Sequence, residues 1–413
     1  MVIQFSFTLL GLISLLFSRV ERRIWGSMRT PFAFIAYPLL AVLFLVVFIT
    51  PGMGFLPLHF ETLLVLAFFL VLAAAASVVM SYFVGEGASR PSRMEEAPGG
   101  NPWHKGADRS VGTLEYLVVA GILLAVFASS LIHYTPGEVS KGELSIGGIS
   151  GHIMNLGVAY LIIAMSQKKG AMLVRGGLIC FVLLILLANQ VKYIIMLPLA
   201  CVVLYKWASR QWTIWKILVI VLVVPMGIVS SVMFMSVASN PKGTQISIFF
   251  FQEMATRMIG YLASGTLGLD RLLLRGHLSL INTEGIEYIF APFINTLKFA
   301  FGDHQFYDVI NRLYLPIHSS DIFLTSNVFT LFGSLLFRGG WLGAIPITFG
   351  YIGFSYGVWF WWHAQKGALA CAAGAFWVVP LLFSWHDPFF IHLSSIEIFS
   401  FLWIRGRMRG LDR

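Results

Sequence analysis

The chain alternates between long apolar runs and short polar breaks, and this rhythm predicts membrane-spanning helices. A bilayer core takes roughly 17–25 apolar residues to cross. Runs of that kind fall near residues 2–18, 32–50, 61–84, 114–132, 152–166, 171–188, 191–205, 216–238, 340–361, 368–384 and 388–404. The expected fold is an all-α polytopic membrane protein with about eleven (roughly 10–12) transmembrane helices. The first run has no preceding basic region and no small-residue cleavage site, so it is expected to be a retained helix. Residues 239–339 break the rhythm. They mix charges with aromatics, which predicts one large outer-face loop containing short amphipathic helices. Three regions follow: residues 1–238 with the first eight spans, the cap at 239–339, and residues 340–413 with the last three spans and a basic tail.

Composition agrees. The 413 residues are 58% hydrophobic and 11% charged, whereas a soluble domain is about 25% charged. The net charge of +9 is therefore a matter of sidedness and gives no reason to expect a nucleic-acid partner. Arg19, Arg22, Arg23 and Arg29 follow the first span; Arg90, Arg93, Lys105 and Arg109 the third; Lys168, Lys169 and Arg175 the fifth. Lys206, Arg210 and Lys216 follow the seventh, Lys366 the ninth, and Arg405, Arg407, Arg409 and Arg413 close the chain. The short loops of the opposite side carry only Lys141 and Lys192. Basic residues in short loops mark the cytoplasmic side, so the N-terminus and the segment 239–339 are expected outside and the C-terminus inside.

That parity bears on Leu315–Gly343, which has a polar start, an apolar run, a lone Arg338 and a glycine pair before the next span. Were Ile322–Phe337 a full span, Lys366 and the basic tail would lie outside. It is therefore expected to be a short helix that dips into the outer leaflet or lies on it. The Gly- and Pro-rich segment 85–113, with His104, reads as a flexible, solvated cytoplasmic linker. The loop 133–151 reads as a plain connection. Cys180, Cys201 and Cys371 all sit in apolar runs without metal-type spacing, so neither a disulfide framework nor a thiolate metal site is expected. There is no phosphate-cradling glycine loop.

The segment 239–339 holds most of the outer-face polar chemistry. Lys242, Arg257, Arg271, Arg275, Lys298, Arg312 and Arg338 nearly balance Glu253, Asp270, Glu284, Glu287, Asp303, Asp308 and Asp321. Glu253 and Arg257 are four apart, a helix-surface pair. Arg271 and Arg275 share that spacing with like charge, an arrangement that is more often a solvated face but also invites an anion such as a diphosphate. Lys192, in the turn Asn189–Gln190–Val191–Lys192 between two spans, either snorkels to the interface or meets an anion.

Ser326–Asn327–Val328–Phe329–Thr330, a short apolar stretch and then Gly339–Gly340–Trp341–Leu342–Gly343 resemble the Wzy-type O-antigen or oligosaccharide repeat-unit polymerases of bacterial surface polysaccharide synthesis. The match rests on Asn327, Thr330, Gly340 and Gly343. Tyr261–Leu262–Ala263–Ser264–Gly265, followed by Asp270, resembles the tyrosine-small-glycine segment of that family's large loop, and Asn189–Lys192 its outer helix mouth. The likeness spans about residue 110 to the end. Lys192 replaces the usual arginine, and Arg338 stands where an acidic residue is common, so no acidic role is carried to that position. The resemblance implies a glycosyltransferase of the bacterial inner membrane. It would move a chain from undecaprenyl diphosphate to a sugar hydroxyl of the incoming unit at the periplasmic face. It implies no nucleotide sugar, no cofactor and no metal, and it brings a flippase and a chain-length regulator as partners beside membrane lipid.

Such a reaction needs cations for the leaving diphosphate, a proton acceptor for the attacking hydroxyl and a held acceptor. Lys192, Arg257, Arg271, Arg275, Arg312 and Arg338 are the candidate cations, with Tyr261 and Asn327 as further substrate contacts. His318 with Asp321 is the leading acid–base pair, and His304 with Asp303 the second. Each has a structural rival. His318 and Asp321 suit a helix cap, Arg338 suits snorkelling, and Asn327 and Thr330 suit interhelical hydrogen bonds. Two other functions compete. One is an O-antigen ligase that transfers finished polymer to the lipid A core. The other is a flippase or polysaccharide transporter, disfavoured because the polar residues gather in one external segment and not at paired midplane sites.

Overall fold

The computed structural model describes residues 2–85, 112–132, 148–166, 172–188, 192–208, 248–276, 280–302, 313–321, 324–364 and 368–411. These residues are almost wholly helical. Four helical segments are long and apolar enough to cross a membrane: Val2–Trp25, Pro31–Met53, Phe60–Phe83 and Thr330–Trp362. Shorter apolar helices occupy Thr113–Val126, Gly151–Ser166, Met172–Leu186, Leu197–Lys206 and Leu369–Leu382. The protein is thus a helical, membrane-embedded chain. The expected span near 216–238, nearly all of the linker 85–113, most of the loop 133–151, and His304, Asp303 and Arg312 lie outside the described residues.

The helices are α1 (Val2–Trp25), α2 (Pro31–Phe44), α3 (Phe60–Gly85), α4 (Thr113–Ile132), α5 (Gly148–Ser166), α6 (Met172–Ala188), α7 (Lys192–Ala208), α8 (Ile248–Leu274), α9 (Thr283–Ile289), α10 (Ala291–Ala300), α11 (Thr330–Ala364), α12 (Ala368–Leu382) and α13 (Leu393–Leu411). Among the described residues the β structure is one short antiparallel pair, β1 (Leu315–Pro316) with β2 (Thr325–Ser326), in the register Leu315 to Ser326 and Pro316 to Thr325, and an isolated bridge between Phe55 and His318. The chain divides into two compact units, one of residues 1–98, 240–359 and 380–393, the other of residues 99–239, 360–379 and 394–413.

Within the first unit α1, α2, α3 and α11 are tied by one buried carboxylate. Glu21 accepts hydrogen bonds from the hydroxyls of Thr30, Tyr356 and Ser77, the last at 2.7 Å. Each hydroxyl is itself approached by an N–H: Ala33 N to Thr30, Phe32 N to Tyr356 and Trp25 Nε1 to Ser77. All three hydroxyl protons are therefore directed at the carboxylate. Trp25 stacks on Tyr356 at 5.3 Å and meets Trp359 edge-on.

The stretch Ile322–Phe337 departs from expectation. Residues 324–329 are non-helical, with Thr325–Ser326 in the strand pair, the helix starts at Thr330, and it breaks at Gly340 with φ 64° before continuing to Ala364. Its first segment packs into the protein. Leu331, Phe332, Leu335 and Leu336 are buried, with Phe332 stacked on Phe69 at 5.6 Å. An apolar run of this length suits a protein core as well as a lipid surface, and here the core takes it.

In the second unit, α4 and α13 are joined by an ion pair between Glu115 and Arg405, with the Tyr160 hydroxyl on the same carboxylate. Gly374 admits Trp362, whose Cβ would lie 2.4 Å from any Cβ placed there. Replacing Glu21 by Leu would strand three buried hydroxyl donors, and each such loss costs on the order of 1–3 kcal/mol. Thermal unfolding in detergent is expected to show Glu21→Leu well below wild type and Tyr356→Phe between them.

Candidate functional site

The site begins at the loop between α2 and α3. Gly54, at φ 82°, faces the His318 ring, whose Nε2 would lie 2.9 Å from a Cβ there. Leu56 N donates to the Ile317 carbonyl at 3.0 Å and Ser319 N to the Gly54 carbonyl at 2.9 Å, while Phe55 packs edge-on against His318. These bonds zip residues 54–56 to 317–319 and so fix where α3 starts. That start, His59 to Thr62, meets Asp270 on α8.

Asp270 is the centre. Its Oδ1 accepts from His59 N at 2.7 Å and from Thr62 Oγ1 at 2.6 Å; its Oδ2 accepts from Arg271 Nη2 at 2.6 Å and faces His59 Nδ1 at 3.0 Å. The Asp270 side chain is 0% exposed and that of His59 39%. The carboxylate requires the proton on Nδ1, which leaves Nε2 as an acceptor. Arg271 also donates to the Pro57 carbonyl at 2.6 Å, its side chain is 15% exposed, and its buried Nε lacks a partner among the described residues. Arg275 follows one turn later and is exposed. Position, orientation and charge thus converge at one end of α8: an imidazole oriented by a buried carboxylate, with the Arg271 guanidinium on the same carboxylate and Arg275 one turn further along the chain.

A second polar group surrounds the turn between α12 and α13. Tyr261 lies 4.9 Å from the His386 ring. Burial and the Asp387 carboxylate push its phenol up to about 12. His386 is buried, stacks on Phe389, and has an Nδ1 without a partner among the described residues. Burial lowers its pKa to about 4, against the opposing pull of Asp387. Asp387 accepts from Ser334 Oγ at 3.1 Å and lies 3.8 Å from His392 Nε2. Two of the segments quoted for the polymerase resemblance, Tyr261–Gly265 and Ser326–Thr330, meet here. A Cβ at Gly265 would lie 2.2 Å from the Trp385 carbonyl oxygen, Thr330 N donates to the His386 carbonyl at 3.0 Å, and Ser326 Oγ donates to the Ser264 carbonyl at 3.0 Å.

The other sequence-predicted residues separate. His318 accepts from Asp321 N at 3.0 Å through Nδ1 and donates from Nε2 to the Met53 carbonyl at 2.9 Å. Both ring nitrogens serve the loop, so His318 and Asp321 form a staple. Arg338 donates to the Tyr288 carbonyl at 3.0 Å and fastens α9 to α11. Arg257 is exposed on α8, and 14 residues before Arg271 means about 21 Å along the axis. Asn327 lies half-buried in the non-helical stretch before α11. Lys192 opens α7 in the second unit. The described contacts therefore do not gather these cations round one centre; Arg271 and Arg275 alone share a helix end.

A family model described as a family of unknown function (DUF6337) matches residues 111–409. The chain belongs to the DUF6337 family. No curated protein and no solved structure matches it. The DUF6337 match contains Tyr261, Asp270, Arg271 and Asp387, whereas His59 and Thr62 precede it.

His59, Thr62, Ser334, His386, Asp387 and His392 went unread in the sequence. One signal pointed to several of them: a histidine or carboxylate at a span mouth is costly unless it has a partner or a task.

Two outcomes test this geometry. The unfolded chain protonates His386 near 6.5 and the folded chain only near 4. Its contribution to stability is therefore fully present above pH 6.5 and is lost as pH falls towards 4. The unfolding midpoint of wild type should fall over that window more steeply than that of His386→Phe. Gly265→Ala forces apart α8 and the 385–386 backbone and should cost about 1–3 kcal/mol, the usual range for overpacking, read by the same unfolding assay.

Proposed function

We propose that this protein is a membrane glycosyltransferase that polymerises lipid-diphosphate-linked oligosaccharide units at the outer face of the bacterial inner membrane. The observation that carries the proposal is the His59–Asp270–Arg271 cluster, which joins an oriented base to cations on one helix end. The bias of basic residues toward the opposite loops supports the assignment of this cluster to the outer, periplasmic side. The resemblance carried by Tyr261–Gly265, Asn327 and Thr330 supports the substrate class.

The chemistry follows from those groups. The acceptor sugar hydroxyl gives its proton to His59 Nε2 while its oxygen bonds to the anomeric carbon of the donor. The bond from that carbon to the phosphate oxygen breaks, and the lipid diphosphate leaves with the electron pair. Arg271 and Arg275 lie where that charge grows, and stabilising charge as it develops is usually what lowers an enzymatic barrier most. Asp270 orients His59 and stabilises the imidazolium formed, as a buried carboxylate does for a catalytic histidine.

The test is a deletion strain complemented with variants and scored by gel for surface polysaccharide length. Loss of a general base slows a reaction about 10²–10⁴-fold, so His59→Gln and Asp270→Asn should leave no long chains, and Arg271→Ala likewise. Lipopolysaccharide capped by a single unit marks lost polymerisation, whereas absence of any cap marks a ligase. Full-length polymer in both His59→Gln and Arg271→Ala cells overturns the assignment.

A further inference from the structure

The second unit carries its own carboxylate–imidazole group. His152 and Asn155, three apart on α5, both reach Glu397 on α13. His152 Nδ1 lies 2.7 Å from Glu397 Oε1, and Asn155 Nδ2 donates to Oε2 at 2.7 Å. Both carboxylate oxygens are engaged by different side chains, and Asn155 is buried, so the carboxylate is clamped. The clamp holds the imidazole by Nδ1, on a side chain that is 53% exposed against 29% for Glu397.

The imidazole projects from the fifth residue of α5 and its partner from the fifth residue of α13. Both helices therefore present this group at their starting ends, which span parity places on one face. An ionisable side chain exposed at the end of a membrane helix is expensive unless water or a ligand meets it. With the proton on Nδ1 donated to Glu397, Nε2 of this largely exposed ring is the acceptor left for a hydroxyl.

We infer that His152, set by Glu397 and Asn155, is a second ligand-binding site that accepts a hydrogen bond from a hydroxyl of a carbohydrate chain. That the hydroxyl belongs to a carbohydrate rests on the proposed function; the site's geometry does not. The site binds and does not turn over, so its loss shortens the polymer, whereas loss of His59 abolishes it.

The test uses the full-length protein in detergent, with diethyl pyrocarbonate as the imidazole probe and mass spectrometry as the readout. The ligand probe is the water-soluble polysaccharide released from the surface of the producing cells. Wild-type His152 should be modified at neutral pH, and the polysaccharide should slow that modification. Glu397→Gln, which retains the side chain's volume, and Asn155→Ala should keep the modification and lose the protection. In cells, His152→Gln should give shorter chains. A His152 that resists the reagent, or one whose rate the polysaccharide leaves unchanged, overturns the inference, and the wild-type comparison alone decides this if a variant fails to fold. The two ideas fail separately: full-length polymer in His59→Gln cells removes the transferase reading while protection of His152 stands. Absent protection with His59 still essential removes only the second site.

Discussion

A carboxylate taken out of water must have its lone pairs met, or it does not stay charged. In the first unit this requirement acts at both ends of α3. At its start, Asp270 takes the His59 N–H, the Thr62 hydroxyl and Arg271. Towards its end, Ser77 donates to Glu21 at 2.7 Å. Neither carboxylate belongs to α3. The helix is thus held between two carboxyl groups supplied by α1 and α8, and neither is satisfied unless α3 is in register. Apolar packing in a membrane is nearly indifferent to sliding, since lipid is as apolar as a neighbouring helix. Two buried acceptors at a fixed separation give the register that packing does not.

Helix α8 is the other half of that arrangement, and small residues let it serve. Gly260, Ser264 and Gly268 are spaced by four, with Gly265 beside them, and backbone or rings approach along that stripe. Phe55 faces Gly260, Trp385 faces Gly265 and Val328 faces Gly268, the last two with carbonyl oxygens 2.2 and 2.3 Å from where a Cβ would sit. Three segments distant in sequence are thus drawn onto one helix. The tyrosine-small-glycine run was legible in the sequence as a motif. Its physical content, a surface on which backbones can press, becomes visible only with the partners in place.

Much of the helical layout was legible because lipid and protein core both select long apolar runs. The same fact makes Ile322–Phe337 ambiguous as a sequence. Leu331, Phe332, Leu335 and Leu336 are as apolar as any interfacial helix, and only their burial against Phe69 and the rest of the core reveals the difference. The site was harder to read. Asp270 and Arg271 stood in the segment richest in outer-face charge and were noticed. His59 stood in a short loop, and its link to Asp270 spans 211 residues, a separation at which local pattern carries no information. His318 drew attention because it opens a polar stretch, and it proved to be committed to the loop that places His59.

Those three histidines separate two conditions that a base must meet together. It must be fixed, or proton transfer waits on a chance orientation, and it must be reachable, or no substrate arrives. His318 is fixed by the Met53 carbonyl and the Asp321 N–H and has no nitrogen left. His386 keeps a nitrogen unpartnered among the described residues, yet is walled in by Tyr261, Trp385 and Phe389. His59 alone of the three meets both conditions, because the carboxylate that orients it is wholly buried while its own ring is not. Burial graded across a single hydrogen bond is what turns an ion pair into a tool. The pair would be inert with both partners inside and poorly oriented with both outside.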